Sequence, residues 1–365
     1  MDPVGTCVAI SVVRVPCHFR WSLNEPPSGE EGKNLSSMFN AFVRSSLIGG
    51  ALALATLPTF AQSYTHQVVV LNEGYYNVST QEQVVPVTLG AYDPATGTYQ
   101  MVATIDGARF GNHVLVADQR IYVAADQRLL VFDADTYQLL AEATVPGIRR
   151  FDLWEDRLVI TLGEVGGLPH YCEVRDKNTL ELDYAIESSV LPYSCEAVKV
   201  VGDKAYVGIN NAFDWSNVVG QVGVLNLATS TWEQTIDLGA DGQNPEHLMV
   251  SNGSLYTFNN RDFTGSSISK LDLVSNILDG TDHVTMSSGC GSSALVQERI
   301  YYMEYAQNLL NRYDVATNAI LDTLQGSPAT YGLIDDPDNG VMYGTTTDFF
   351  STGEFHVLTY EGQIL

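Results

Sequence analysis

Residues 113–136 read HVLVADQRIYVAADQRLLVFDADT: an apolar strand, a polar turn at Asp118-Gln119, a second strand, another turn, and a third strand ending in an Asp-type turn. Val114, Val116, Ile121, Val123, Leu130 and Phe132 keep the period of two that belongs to strands. The cassette returns as LWEDRLVITL from Leu153, AVKVVGDKAYVGI from Ala197, HLMVSNGSLYTF from His247, ALVQERIYYME from Ala294 and LIDDPDNGVMYGT from Leu333. Its first turns begin at Asp118, Glu155, Gly202, Asn252, Gln297 and Asp338, in steps of 37, 47, 50, 45 and 41 residues. Strand-only repeats of this length are radial blades around an axis. The expected fold is an all-β propeller of seven blades, each with four antiparallel strands, here lettered a to d in chain order.

Helical periodicity is absent after residue 61, and no Pro/Ser linker divides residues 62–365, so a single domain is expected there. Asp or Asn opens the c–d turns in YDPATG from Tyr92, FDADT from Phe132, RDKNT from Arg175, LNLATS from Leu225, LDLVSN from Leu271 and YDVATN from Tyr313. Such side chains hold a reversal by accepting from backbone amides, and Gly or Asn then tolerates the positive φ. The Asp335, Asp336, Asp338 stretch lacks calcium-loop spacing and reads as another such turn. Blade 1 starts at its second strand, HQVVVLNEG from His66, and blade 7 ends early in its outer strand. Closure is therefore incomplete in sequence, and six or eight blades stay compatible with it.

The first 61 residues read differently. Residues 1–37 show neither strand alternation nor a helical stripe and are expected to be an upstream extension outside the fold. Residues 38–61 carry Arg44, the apolar run Leu47–Leu57, a Pro break and small residues before Gln62, the plan of a secretory signal peptide. That run is too short for a membrane span, which needs about 20 residues. Gln62 stands where a lipoprotein would have Cys, so export to the periplasm, cell surface or medium is expected without a lipid anchor. Residues 1–61 hold four basic and four acidic residues, so their removal leaves the net charge at −25. A surface so acidic repels nucleic acid and anionic lipid. Cys172, Cys195 and Cys290 lack CxxC spacing, which leaves no zinc site and at most one bridge, with Cys172 to Cys195 conceivable.

Loop lengths separate two faces. The a–b and c–d turns are short, whereas the b–c loops are long: EGYYNVSTQEQVVP from Glu73, EVGGLPHY from Glu164, NNAFDWSNVVG from Asn210, NNRDFTGSS from Asn259 and TTDFFSTGE from Thr346. Long loops on a rigid frame are where binding resides. They carry Tyr75, Tyr76, Phe213, Trp215, Phe263, Phe349 and Phe350 beside the amides Asn210 and Asn259, an aromatic and amide-rich rim suited to a large polar-edged ligand or a protein. In the d–a loops, Asn112, Glu196 and Glu246 occupy one equivalent position in three blades. They either hold a divalent cation or ligand, or satisfy strand-end amides around the channel. His113 reads as channel lining or core. No GxSxG, HExxH, Walker A or GxGxxG pattern occurs after residue 61, and no cofactor is expected.

VVVLNEG from Val68, YDPATG from Tyr92 and RIYVAADQRLLVFDADT from Arg120 resemble the YncE-like seven-bladed propellers exported by Bacteroidetes, over roughly Tyr64 to the C-terminus. The best-defined function within that resemblance is capture of cobalamin and related corrinoids by BtuG-type propellers, which pass the ligand to an outer-membrane transporter. The resemblance thus implies a non-catalytic binding protein with a corrinoid-like ligand. No corrinoid-contact motif matches residue by residue, so no binding residue carries over. A cell-envelope interaction scaffold and a metal-dependent propeller lactonase or hydrolase are the alternatives, because the fold hosts all three.

Overall fold

The computed structural model describes Val8–Pro16 and residues 63–365 apart from 164, 215, 262–264, 286–292, 305, 306 and 349–352. Trp215, Phe263, Phe349, Phe350, Cys290 and the stretch 38–61 lie outside the described residues. Six four-stranded antiparallel sheets and one three-stranded sheet follow one another along the chain, giving seven blades. Blade 3 is typical, with Ile148–Trp154, Arg157–Leu162, His170–Asp176 and Leu182–Glu187 paired in chain order. Blade 7 has Gly332–Asp336, Val341–Thr347 and Gly353–Leu358, and in its fourth place the Leu365 amide donates to the Val357 carbonyl at 2.9 Å. Among the described residues no helix is long and apolar enough to cross a membrane.

Val8–Pro16, placed by the sequence reading in an extension outside the fold, forms strand a of blade 1, antiparallel to Ser63–Asn72 with Val8 opposite Asn72. Val8, Ile10 and Val12 alternate with Ala9 and Ser11, so the strand period is present up to the register shift between Val13 and Arg14.

Period-two side-chain geometry explains why the blades stack. In strand b of blade 2, Ile121, Val123 and Ala125 pack toward blade 1 with Val69, Leu71 and Leu89, while Tyr122 and Ala124 pack toward blade 3 with Phe151, Leu158 and Ile160. Each of the next four junctions buries its own cluster, such as Cys172 and Val174 against Cys195 and Val207 between blades 3 and 4. Both of these cysteines are buried free thiols. The seam between blades 7 and 1 is aromatic instead: Tyr92 lies 4.8 Å from Phe355, which stacks on Tyr343 at 5.6 Å.

The turns follow their chemistry. Asp133 Oδ1 accepts from the amides of Asp135 (3.0 Å) and Thr136 (2.7 Å), and Asp93, Asp176, Asp272 and Asp314 repeat the pattern. The positive-φ residue that follows is Gly97, Asn276 or Asn318 in three blades, but Tyr137, Leu180 or Ser230 in the others. Asp336 is fully buried and accepts from Tyr343 Oη at 2.8 Å, so it belongs to the frame of blade 7.

Gly223 on strand c of blade 4 lies under the indole of Trp232, and a Cβ there would fall inside that ring. Gly223→Val is therefore expected to lower stability by about 1–3 kcal/mol, the cost of overpacking. Urea unfolding followed by fluorescence measures it, and an unchanged midpoint would show that the ring moves aside freely.

Candidate functional site

Every strand a begins at the loop-rich face, so the second residues of these strands encircle one end of the channel. Six positions ahead of the a–b turn stand Asn112, Arg149, Glu196 and Glu246 in blades 2 to 5. The sequence reading aligned three of them and passed over Arg149, although the same count of residues finds it. Arg149 decides the chemistry. Its Nε and Nη2 both donate to the Glu196 carboxylate at 2.8 Å, and Arg150 Nε adds a third contact at 3.3 Å. Glu196 is buried, which works against its charge, yet the two guanidinium groups hold its carboxyl below the ordinary range. Thus Glu196 is engaged by arginines and does not join Asn112 and Glu246 around a cation. Asn112 Nδ2 donates instead to the Ile148 carbonyl at 2.8 Å, and no cluster of metal-ligating side chains occurs among the described residues.

Glu246 has a different setting. Among the described residues its Oε1 receives long contacts, from Asn260 Nδ2 at 3.4 Å and Asn244 Nδ2 at 3.5 Å. Burial, reinforced by the nearby Glu196 charge, pushes its carboxyl up to about 7. Arg150 Nη2 lies 3.1 Å from His247 Nε2. A guanidinium has only hydrogens to offer, so Nε2 accepts and Nδ1 carries the proton toward Ser293 Oγ at 2.6 Å. Burial and then Arg150 push His247 down to about 3, and His113 is likewise held neutral by burial beside Arg150.

The remaining sequence-derived residues divide into rim and frame. Phe213 is 44 % exposed in the long b–c loop of blade 4, and the Arg149 guanidinium sits 5.4 Å from its ring centroid. Tyr75 and Tyr76 lie half-buried on a separate hairpin, Tyr75–Asn77 paired with Glu82–Val85, which grows from the b–c loop of blade 1. Asn210 and Asn259, expected at the rim, lie beneath it. Asn210 Nδ2 donates to Asn244 Oδ1 at 3.0 Å, while the Asn259 amide is enclosed by Ser267, Ser269 and Thr257. Asn259 is fully buried because its strand continues one residue further than the loop reading placed it. Arg149, Arg150, His247 and Ser293 join the site beyond the residues expected from sequence, and His113 lies beside them as the expected channel lining.

Two outcomes follow from this geometry. Glu196→Ala leaves two adjacent guanidinium groups without their carboxylate and is expected to cost about 3 kcal/mol in unfolding free energy by chemical denaturation; a loss near zero would mean solvent screens the pair. For Glu246 the native state binds a proton that the unfolded state releases between about pH 4.5 and 7, so its contribution to stability falls as pH rises through that window, by at most about 3 kcal/mol. The neutral His113 and His247 act with the opposite sign, since unfolding lets them protonate as pH falls below about 6.5. The difference in melting temperature between wild type and Glu246→Gln isolates the carboxyl: it should decline from pH 5 to pH 8, and a flat difference would refute the raised value.

No protein-family model matches the chain, and no curated protein matches it by sequence. Solved structures do. The chain is similar to BamB from Moraxella catarrhalis, at 12% identity with a TM-score of 0.53, over 82% of this chain and 81% of that one. It is also similar to a chain of a mitotic checkpoint complex, at 10% identity with a TM-score of 0.59, over 80% and 84% of the two chains. At such identities the likeness concerns architecture alone: the protein is a β-propeller.

Proposed function

We propose that the protein is an exported, non-catalytic binding propeller whose loop-rich face takes a small ligand at the channel mouth. The observation that carries this reading is the stack of Phe213 on Arg149 above a buried network of amides and carboxylates, an apolar surface directly over an ordered set of donors. A planar ligand with polar edges fits that pairing, and a corrinoid is the leading candidate through the resemblance to YncE-like propellers. Export rests on the signal-like residues 38–61, and cleavage before Gln62 would take Val8–Pro16 away with them, so the exported form would have three strands in blade 1.

A second reading, a cell-envelope interaction scaffold, has its own support. Val78 and Val84 on the blade 1 hairpin are 66% and 54% exposed, an apolar surface that a partner, an outer-membrane transporter among the possibilities, would cover. One structural neighbour is part of a named complex, the mitotic checkpoint complex. The metal-dependent hydrolase reading draws no support from Asn112, Glu196 and Glu246, because the Glu196 carboxylate is taken up by Arg149 and Arg150.

Calorimetric titration with cyanocobalamin tests the first reading. Binding with a visible-band shift is expected, weakened about tenfold by Phe213→Ala through loss of ring contact. Absence of heat and of a band shift at micromolar protein would remove the corrinoid. Capture of one envelope protein by wild type but not by a Val78→Ser, Val84→Ser variant would favour the scaffold.

A further inference from the structure

Below the mouth, the side chains that reach the channel form an unbalanced set. Arg150 directs Nε to Glu196 and Nη2 to His247, and among the described residues its Nη1 has no protein partner. His113 Nδ1 accepts from the Phe151 amide at 3.4 Å, so the ring hydrogen lies on Nε2, which likewise has none. Ser293 Oγ accepts from His247 Nδ1, which leaves its own hydrogen to donate. Lys199 gives one hydrogen to Asp152 at 3.0 Å and keeps two. Glu196 is engaged by the arginines and Asp152 by Lys199 and the Val200 amide at 2.9 Å, while the third carboxyl, Glu246 in the ring with Asn112, takes hydrogens from Asn260 and Asn244 on Oε1 and adds one further acceptor at the mouth. Asn112 Oδ1 is a neutral acceptor one residue nearer the loop face. The free edges of the inner strands alternate N–H and C=O and favour neither sign. Hydrogens therefore outnumber acceptors, inside a chain of net charge −25.

We propose that the channel holds an oxyanion, a phosphate or carboxylate group, between Arg150, His113 and Ser293. Arg150 supplies the charge, and the neutral imidazole and hydroxyl supply direction without competing acceptors. The chain Arg150–His247–Ser293 runs from blade 3 through blade 5 to blade 6, so these donors are fixed by three blades at once. The site does not depend on what the rim above it binds.

The test titrates the full chain with inorganic phosphate, dimethyl phosphate or acetate against chloride at equal ionic strength, read by thermal shift and, for the phosphates, by phosphorus NMR line width. At least one oxyanion should raise the melting temperature with a logarithmic dependence on concentration. Arg150→Gln should weaken it about tenfold or more, as loss of a charge-assisted hydrogen bond does. His113→Phe, which keeps the ring shape, should weaken it severalfold and serves if the arginine variant does not fold. Lys177→Gln on the opposite face should leave it unchanged. Equal binding of dimethyl phosphate points to the phosphate of a larger ligand, preference for the inorganic ion points to a free anion, and preference for acetate points to a carboxylate. No response to any probe at millimolar concentration would overturn the site, as would His113→Phe binding like wild type or Lys177→Gln losing affinity equally.

Discussion

Each blade is a sheet with two apolar faces, and that constraint organises everything else. Tyr122 points one way from its strand while Ile121 and Val123 point the other, so blade 2 buries itself only when blades 1 and 3 are both present. A stack of such sheets has no natural end except closure on itself. The twist between packed sheets turns the stack into a ring, and the ring gathers the starts of the inner strands around one axis. The polar chemistry of the channel mouth is thus a by-product of apolar packing at the blade junctions. Residues 46 or 97 positions apart, such as Arg150 with Glu196 and with His247, meet because the frame leaves them nowhere else to point.

Within that frame the charges are arranged by burial. Glu196 stays ionised at depth because Arg149 and Arg150 surround it, whereas burial and the Glu196 charge push Glu246, on the neighbouring blade at the equivalent position, toward neutrality. Two carboxylates in one geometry therefore carry different charges near pH 7. The imidazoles of His113 and His247 are neutral for the complementary reason, since burial and the adjacent guanidinium both oppose a second positive charge.

Much of this is legible in the sequence. Turn residues punctuate the chain at the blade period, and loop length separated the elaborated face from the plain one. Counting back from the turn placed Asn112, Glu196 and Glu246 in one ring. Arg149 sits in the same register, but a guanidinium does not share the oxygen-ligand chemistry that groups the other three. Asn259 looked like a loop residue, but one further residue of strand pairing draws it into the core, and boundaries at that resolution are not written in local composition. Val8–Pro16 was hidden for a different reason. Its partner strand lies across residues 17–62, so no tight turn joins the alternating Val8, Ile10 and Val12 to a neighbouring strand.

That separation has a kinetic meaning. In blades 2 to 7 the a–b connection is a tight turn, so each sheet can start as a hairpin within microseconds. Blade 1 must recruit its innermost strand across a long intervening segment, and the aromatic seam of Tyr92, Phe355 and Tyr343 joins regions of the chain far apart in sequence. Loop-closure entropy places such contacts late. By that entropy the junctions between consecutive blades are expected to form before the two ends of the ring meet.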